Sequence, residues 1–392
     1  MAESPIPIYT NYDFYVPSFE IKLKGQDIKE EVLRDVISVS YTDSLDKLDS
    51  CQFTINNWDA GQRTFKYSDS AQFNPGTAIE LRMGYADKGG TTLMLRGEIV
   101  SLSPDFPAGG QPTLQIRALN QLYQLHFKQL TQVFKDKTDS QIAKAILDKI
   151  VKDQNSKKKA DGKPTLNLEL VTTAENQTIE KPYQYIAINN EYPISFLMER
   201  ARHNGYDLYL EEEKDEQPAR LHFHPPTRKF PAPYKLEWGK TLINFKPTLA
   251  IKKQVEKVTV RGWNPKKKEE VVGEAVWYDL DAKSLPDVAA LSAADSALVG
   301  SEEVIADQPI ESKAEAEQLA KKYLSEKAKE LVTGSGSTVG LPELRAGRLV
   351  YIGGLGKRFT GRYLVTNSIH SLGDSGYSTQ FEARLEELME IP

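Results

Sequence analysis

The chain has 392 residues, enough for about two to three domains. With 40% hydrophobic and 27% charged residues it reads as folded and soluble. Fifty Lys and Arg against 55 Asp and Glu leave a net charge of -5, which argues against the basic footprint of a nucleic-acid coat. A single cysteine, Cys51, excludes an internal disulfide framework and a cysteine-based zinc cage. Five histidines leave little room for histidine chemistry. No apolar run approaches the ~20 residues of a membrane helix. The N-terminus MAESPIPIYTNYDFYVP has no basic region followed by an apolar core, so a signal peptide is not expected.

The first ~125 residues predict strands by their period-two alternation. Ile37, Val39 and Tyr41 form one apolar set. Cys51, Phe53 and Ile55 form the next, then Ile79, Leu81, Met83 and Tyr85, then Leu114, Ile116 and Ala118. Each set implies one buried and one wet face, as in an antiparallel sheet or barrel. Asn74-Pro75-Gly76, Asp87-Lys88-Gly89-Gly90 and Pro107-Ala108-Gly109-Gly110 are turn signals between the runs. Cys51 falls on the apolar side and is expected as a small core residue.

The middle of the chain changes character. Thr138-Asp139-Ser140-Gln141 has the pattern of a capping box. Ile142, Ala143, Ile146, Leu147 and Ile150 then recur at helical spacing. Asn155 to Pro164, with Lys157-Lys158-Lys159, is expected to be a solvated loop, because it lacks the interleaved aromatics of a nucleic-acid site. Pro193 suits the first turn of a second helix, whose apolar side is Ile194, Phe196, Leu197 and Ala201. Gly205 suits its end. A strand pair is expected over Tyr206–Leu210 and Arg220–Phe223, joined by the acidic turn Glu211 to Glu216.

Strand signals return from Lys235, at Val258 and Val260, Val272 to Tyr278, and Leu349 to Ile352. Between them Ser312-Lys313-Ala314-Glu315 is another capping box. Ala316, Leu319, Tyr323 and Leu331 then place a helix that is expected to end near Gly334. Asp281 to Asp307 is rich in Ala, Asp and Ser and reads as a long loop or an ornament on a barrel. Gln115-Ile116-Arg117-Ala118 is echoed by Gln380-Phe381-Glu382-Ala383. Gly76 and Gly97 before one pair of strands are echoed by Gly347 and Gly361 before another. Their common order suggests two related β-domains flanking an α/β insertion.

Catalytic and metal signatures are weak. His222 and His224 share a strand face but no third ligand is signalled, so they read as exposed strand histidines. Ile352-Gly353-Gly354-Leu355-Gly356-Lys357 lacks the spacing of a phosphate loop and reads as a glycine hairpin. There is no nucleophile elbow, and no carboxylate pair stands out for glycoside hydrolysis. No catalytic residue, cofactor site or metal site is expected.

The C-terminal quarter carries the most specific text. It runs Gly340-Leu341-Pro342-Glu343-Leu344-Arg345-Ala346-Gly347, Phe359-Thr360-Gly361-Arg362-Tyr363-Leu364-Val365, Ile369-His370 and Tyr377 to Ala383. Together with Pro17-Ser18-Phe19-Glu20-Ile21, Asn74-Pro75-Gly76, Met83-Gly84-Tyr85 and Asn189 to Ala201, it resembles the phage late control D family. Members of that family are hubs of contractile-tail baseplates and relatives of the N-terminal part of VgrG spikes. The resemblance implies a β-rich α+β fold, with tube-like β-barrels at 1–125 and 235–392 and an α/β insertion at 126–234. It implies a non-enzymatic homotrimeric ring that joins a sixfold tail tube to a separate threefold spike and encloses a channel. Partners would be the tube protein, the spike and other baseplate proteins. DNA or a protein cargo would pass transiently, with no stable nucleic-acid binding and no membrane insertion. Assembly would occur in the bacterial cytoplasm, into a virion tail or an injection particle. A peptidoglycan-degrading hub enzyme and, more remotely, a DNA-binding late-gene regulator are the rival readings. The hairpins at Gly84-Tyr85 and Gly353-Gly354 are candidates for tube docking, and Glu80, Arg82, Glu382 and Arg384 for lining the channel.

Overall fold

A computed structural model of the chain describes residues 6–7, 16–86, 90–161, 166–212, 217–225, 234–252, 254–264, 267–277, 299–306, 310 and 312–388. Asp87 to Gly89, the far end of the acidic turn, Tyr278 and most of Asp281 to Asp307 lie outside the described residues.

The first part contributes β1 (Ile6–Pro7), β2 (Pro17–Leu23), β3 (Gln26–Asp27), helix α1 (Glu30–Asp35), β4 (Val36–Ser44) and β5 (Ser50–Asn56). The short pair β6 (Trp58–Asp59) and β7 (Thr64–Phe65) follows, then β8 (Ala78–Tyr85), β9 (Thr91–Asp105) and β10 (Thr113–Asn120). The alternating apolar sets of β5, β8 and β10 all turn inward around Phe53, Phe73 and Met83. Cys51 is buried among them. Ile37 departs from the expected alternation and is exposed. The register of β4 against β5 shifts between Val36 and Ser38, and such a bulge sends the residue beside it to the other face.

The middle part comprises β11 (Leu130–Lys137), α2 (Asp139–Asp161), β12 (Leu168–Val171), α3 (Ala174–Ile179), β13 (Tyr183–Glu191), α4 (Pro193–Asn204), β14 (Asp207–Glu211) and β15 (Ala219–His224). At the start of α2, Gln141 N donates to Thr138 Oγ1 and Thr138 N donates to Gln141 Oε1, the reciprocal bonds of a capping box. The lysine run expected as loop is a correction: α2 continues to Asp161. Lysine and alanine favour helix, and no glycine interrupts before Gly162. Pro193 opens α4 and Gly205 closes it in the left-handed region. Ile194, Phe196, Leu197 and Ala201 pack into a separate core with Leu208, Leu221 and Phe223.

The last part holds β16 (Tyr234–Glu237), β17 (Leu242–Leu249), β18 (Lys257–Asn264), β19 (Glu269–Val276), β20 (Glu302–Ile305), α5 (Lys313–Lys329), β21 (Val332–Val339), β22 (Leu349–Gly353), β23 (Gly361–Gly373) and β24 (Gly376–Leu388). Ser312 caps α5 by accepting from Glu315 N. The helix stops at Lys329, short of the expected Gly334, which instead lies inside β21. That glycine is needed there because the Phe245 ring of β17 lies across it; a Cβ would come 2.3 Å from Phe245 Cζ. Within the stretch read as loop or ornament, Glu302–Ile305 form β20, parallel to β18 in a small sheet that α5 covers.

The fold is β-rich α+β: two tube-like barrels flank an α/β insertion, and they share one sheet through β4 and β23. The strand order β4-β5-β10-β9-β8 in the first half recurs as β17-β21-β24-β23-β22 in the second, in the same chain order. Finer details repeat too. Gly76 N donates to Ile99 O while Ile99 N donates to Thr77 O, and Gly347, Val365 and Arg348 make the same two bonds. Both glycines have positive φ, at 87° and 82°. A register shift falls beside Ala118 in one half and beside Ala383 in the other, which aligns the Gln115–Ala118 and Gln380–Ala383 echoes. In this alignment Gly97 corresponds to Tyr363, so the Gly97 and Gly361 match read from the sequence is replaced by a structural one.

Candidate functional site: a continuous polar sheet face

Eight strands in the order β17-β21-β24-β23-β4-β5-β10-β9 form an unbroken ladder spanning both halves. One side of it carries the cores; the other is polar. Strand pairing aligns its side chains in rows. One row runs Ser101, Arg117, Gln52, Ser40, Ser371 and Ser378. The next runs Ser50, Thr42, Ile369, Gln380, Ser337 and Asn244. A third runs Ser44, Asn367, Glu382, Ser335 and Lys246. Ser103, Gln115, Thr54 and Ser38 continue the face in the first half. The charged side chains in these rows are Arg117, Glu382 and Lys246; hydroxyls and amides make up nearly all the rest. In the second half the face is hollowed into a concavity of about 340 Å³ lined by Asn244, Ser335, Ser337, Asn367, Gln380 and Glu382 among others.

The seam that makes the face continuous is fastened by a buried network. Arg345 Nε donates to Asp43 Oδ2 at 2.9 Å, and its Nη atoms donate to the Tyr41 hydroxyl and to the carbonyls of Leu93 and Met94. Its guanidinium also lies 4.6 Å from the Tyr41 ring centroid. Burial works against the Arg345 charge, but Tyr41 and Asp43 outweigh it and raise its pKa. Ser368 Oγ donates to Asp43 Oδ1 at 2.5 Å. His370 Nε2 faces the Leu344 carbonyl, which only accepts, so Nδ1 is the acceptor for Tyr377 and Thr379. Burial lowers the His370 pKa to about 4, so the ring is neutral. The motif residues Arg345, His370, Tyr377 and Thr379 are thus fasteners between the halves. The sequence flagged them, while of their partners Tyr41 was legible only as a strand residue and Asp43 was not singled out.

The insertion is tied down by further charged contacts. Glu211 accepts from Arg348 and lies 2.8 Å from His222 Nε2. Glu212 accepts from Arg96 N. These first residues of the acidic stretch are therefore packed. His222 and His224, expected as exposed, are buried; their rings contact each other and Tyr209. Among the described residues no group of three or more His, Cys, Asp or Glu side chains is arranged to hold a metal ion.

The candidate residues fall in different places. Glu382 lies on the polar face. Arg384, further along β24, is drawn into ion pairs with Glu386 and Asp207. Glu80 and Arg82 lie on β8, outside the eight-stranded ladder; Glu80 pairs with Arg96, and Arg82 donates to the Thr91 carbonyl. Tyr85 is turned inward and its hydroxyl donates to Gly340 O, while Gly84 packs against the Gly90 backbone. Gly353 ends β22, and Gly354, at φ 79°, begins the hairpin beside the largely exposed Trp238. Trp238 was not singled out from the sequence, although a Trp-Gly pair just before a strand is a turn signal.

Residues 14–374 match the model of the family described as the Alg8 N-terminal domain. The chain belongs to that family. The motif resemblance points to late control D proteins, a different description, and this Alg8 N-terminal domain member shares its fold with phage tail proteins. Over 94% of the chain and 98% of its counterpart it is similar to the 43 kDa tail protein of prophage MuSo2 from Shewanella oneidensis, with TM-score 0.67 and 12% identity. The tail protein of Neisseria meningitidis MC58 gives TM-score 0.64 at 14% identity, covering 94% and 97% of the two chains. The Escherichia coli c3393 protein, described as a component of the type VI secretion system, gives 0.56 at 11%, covering 95% and 79%. A comparison with curated proteins gives no match.

Proposed function

We propose that the protein is a structural hub of a contractile tail or injection system, in the manner of the late control D proteins its motifs resemble. Three copies form a ring around a channel and adapt a sixfold tube to a threefold spike. The first barrel extends to about residue 125, the insertion over 126–234, and the second barrel from 235. The observation that carries this reading is the duplicated strand order, which gives each chain two equivalent units on one continuous face. Three chains then present six units, matching a sixfold tube. The polar face lines the channel, and the hairpins at Gly84-Tyr85 and at Gly353-Gly354 with Trp238 lie toward the tube. The role is architectural: the charged clusters join elements of the chain to one another. The purified chain is expected to have a native mass three times its 44.0 kDa, measured by light scattering. A twofold dimer would defeat the reading, because its self-complementary contact cannot generate a threefold ring.

A further inference from the structure

The eight-stranded ladder has two ends, and they are complementary to each other. Among the described residues, β9 beyond Val100 has β10 as its ladder partner, and β17 from Phe245 onward has β21. Each end therefore offers a free strand edge, a template for another chain. The chain also contains the contact that such edges make when they are covered. At the internal seam β23 lies antiparallel to β4, pairing Asn367 with Ser44, Ile369 with Thr42 and Ser371 with Ser40. By the internal repeat, β9 is the counterpart of β23 and β17 is the counterpart of β4.

We infer that the free edge of β9 in one copy joins the free edge of β17 in the next copy, in the register of the internal seam. The inference rests on the ring reading and adds its residue-level geometry. Ile99 corresponds to Val365, and Pro247, opposite Gly334, corresponds to Tyr41, opposite Cys51. The transferred register sets Leu102 against Leu249, Ser103 against Thr248, Asp105 against Lys246 and Phe106 against Phe245. None of these residues was used to find the register, yet the pairs match in chemistry. An acid meets a base on the polar side, and apolar side chains meet on the core side. Phe106 is more than half exposed in the single chain and is covered by this contact. The joint extends the polar face from one copy into the next, and its two sides differ, so it is head-to-tail and closes only as a ring.

The register also sets Pro104 against Pro247. Leu45 N donates to Thr366 O at the internal seam, so hydrogen-bonded pairs alternate from there and include Tyr41 with His370. Their counterparts are the two prolines, which have no N–H to give. The ladder between copies is therefore open at that position and is carried by the flanking pairs. Proline on a free edge also discourages unwanted strand addition before assembly.

Disulfide trapping tests the register. Ser103 and Thr248 fall on a non-hydrogen-bonded pair, where the Cα separation of about 4.5 Å suits a disulfide. Mixing Ser103→Cys with Thr248→Cys protein under mild oxidation should give a covalent dimer, and the double variant a covalent trimer. Thr42→Cys with Ile369→Cys, the internal counterpart, should close within one chain as a positive control. Separately, Asp105→Lys or Lys246→Asp should weaken trimer formation roughly fivefold or more over three joints, and the double reversal should restore it. A native trimer that gives no cross-link while the control closes overturns the register and leaves the ring standing. A chain that stays monomeric by mass and by cross-linking overturns both.

Discussion

Asp49 is buried, and its carboxylate accepts from Asn120 Nδ2 at 2.9 Å. Burial, reinforced by the nearby Asp43, pushes its pKa up to about 8. Burial likewise raises Glu212 to about 7. A carboxyl group with a raised folded-state pKa holds its proton in the folded state after the unfolded chain has lost it. Its contribution to stability is present at low pH and is lost as pH rises toward the folded value. His370 and His203, both lowered to about 4 chiefly by burial, act in the opposite sense, mainly below their ordinary value of 6.5 and fading above it. Lys322, lowered to about 8, begins to matter above that window. Between pH 6.5 and 7.5 the carboxyl groups therefore dominate, and stability should fall as pH rises, with Asp49 contributing about 1 kcal/mol. Asp49→Asn keeps an acceptor oxygen for Asn120 and should flatten that slope in urea titrations at the two pH values. An unchanged slope in the variant would show that Asp49 is already ionised at pH 6.5.

At the scale of elements, α4 shows how the insertion is held. Its Pro193 start, Gly205 stop and apolar side were legible because each follows from local chemistry within one helix. Phe196 is 5% exposed and packs in the core that also holds Leu208, Leu221 and Phe223. Phe196→Ala should destabilise the protein by roughly 3–5 kcal/mol, measured by chemical denaturation. A loss under about 1 kcal/mol would place the ring outside the core. Period-two alternation likewise exposed β5, β8 and β10 to sequence reading. The outward turn of Ile37 was not legible, since a bulge depends on the partner strand. Nor was the place of Gly334: a glycine reads as a helix stop locally, but here it makes room for Phe245 from a strand almost ninety positions earlier. Glu382 apart, the polar face and its continuity across the two halves were not legible for the same reason. Its rows join residues such as Ser40 and Ser371, and nothing local marks two serines so far apart as neighbours.

For the whole molecule, the question is what a nearly uncharged face is for. A passing polyanion is retained by unpaired Lys and Arg, because binding releases its condensed counterions. A wall of Ser, Thr, Asn and Gln hydrates the passenger without that gain. The few charges on the face, Arg117, Glu382 and Lys246, are mixed in sign, so the rows around Gln52, Gln115 and Gln380 are close to neutral. If this face lines the ring, it is reached only through the bore. Gln115→Cys and Gln380→Cys should then react with a small maleimide in the assembled ring about as readily as in the free chain. A polyethylene-glycol maleimide of several kilodaltons should label the free chain readily and the ring far more slowly. Cys51 is buried and gives no background in the folded chain. Equal labelling of ring and free chain by the bulky reagent would put the polar face on the outside, where its hydroxyls and amides would meet baseplate partners. Slow labelling by both reagents would instead mean that the joint between copies covers the face, since an open bore admits the small one.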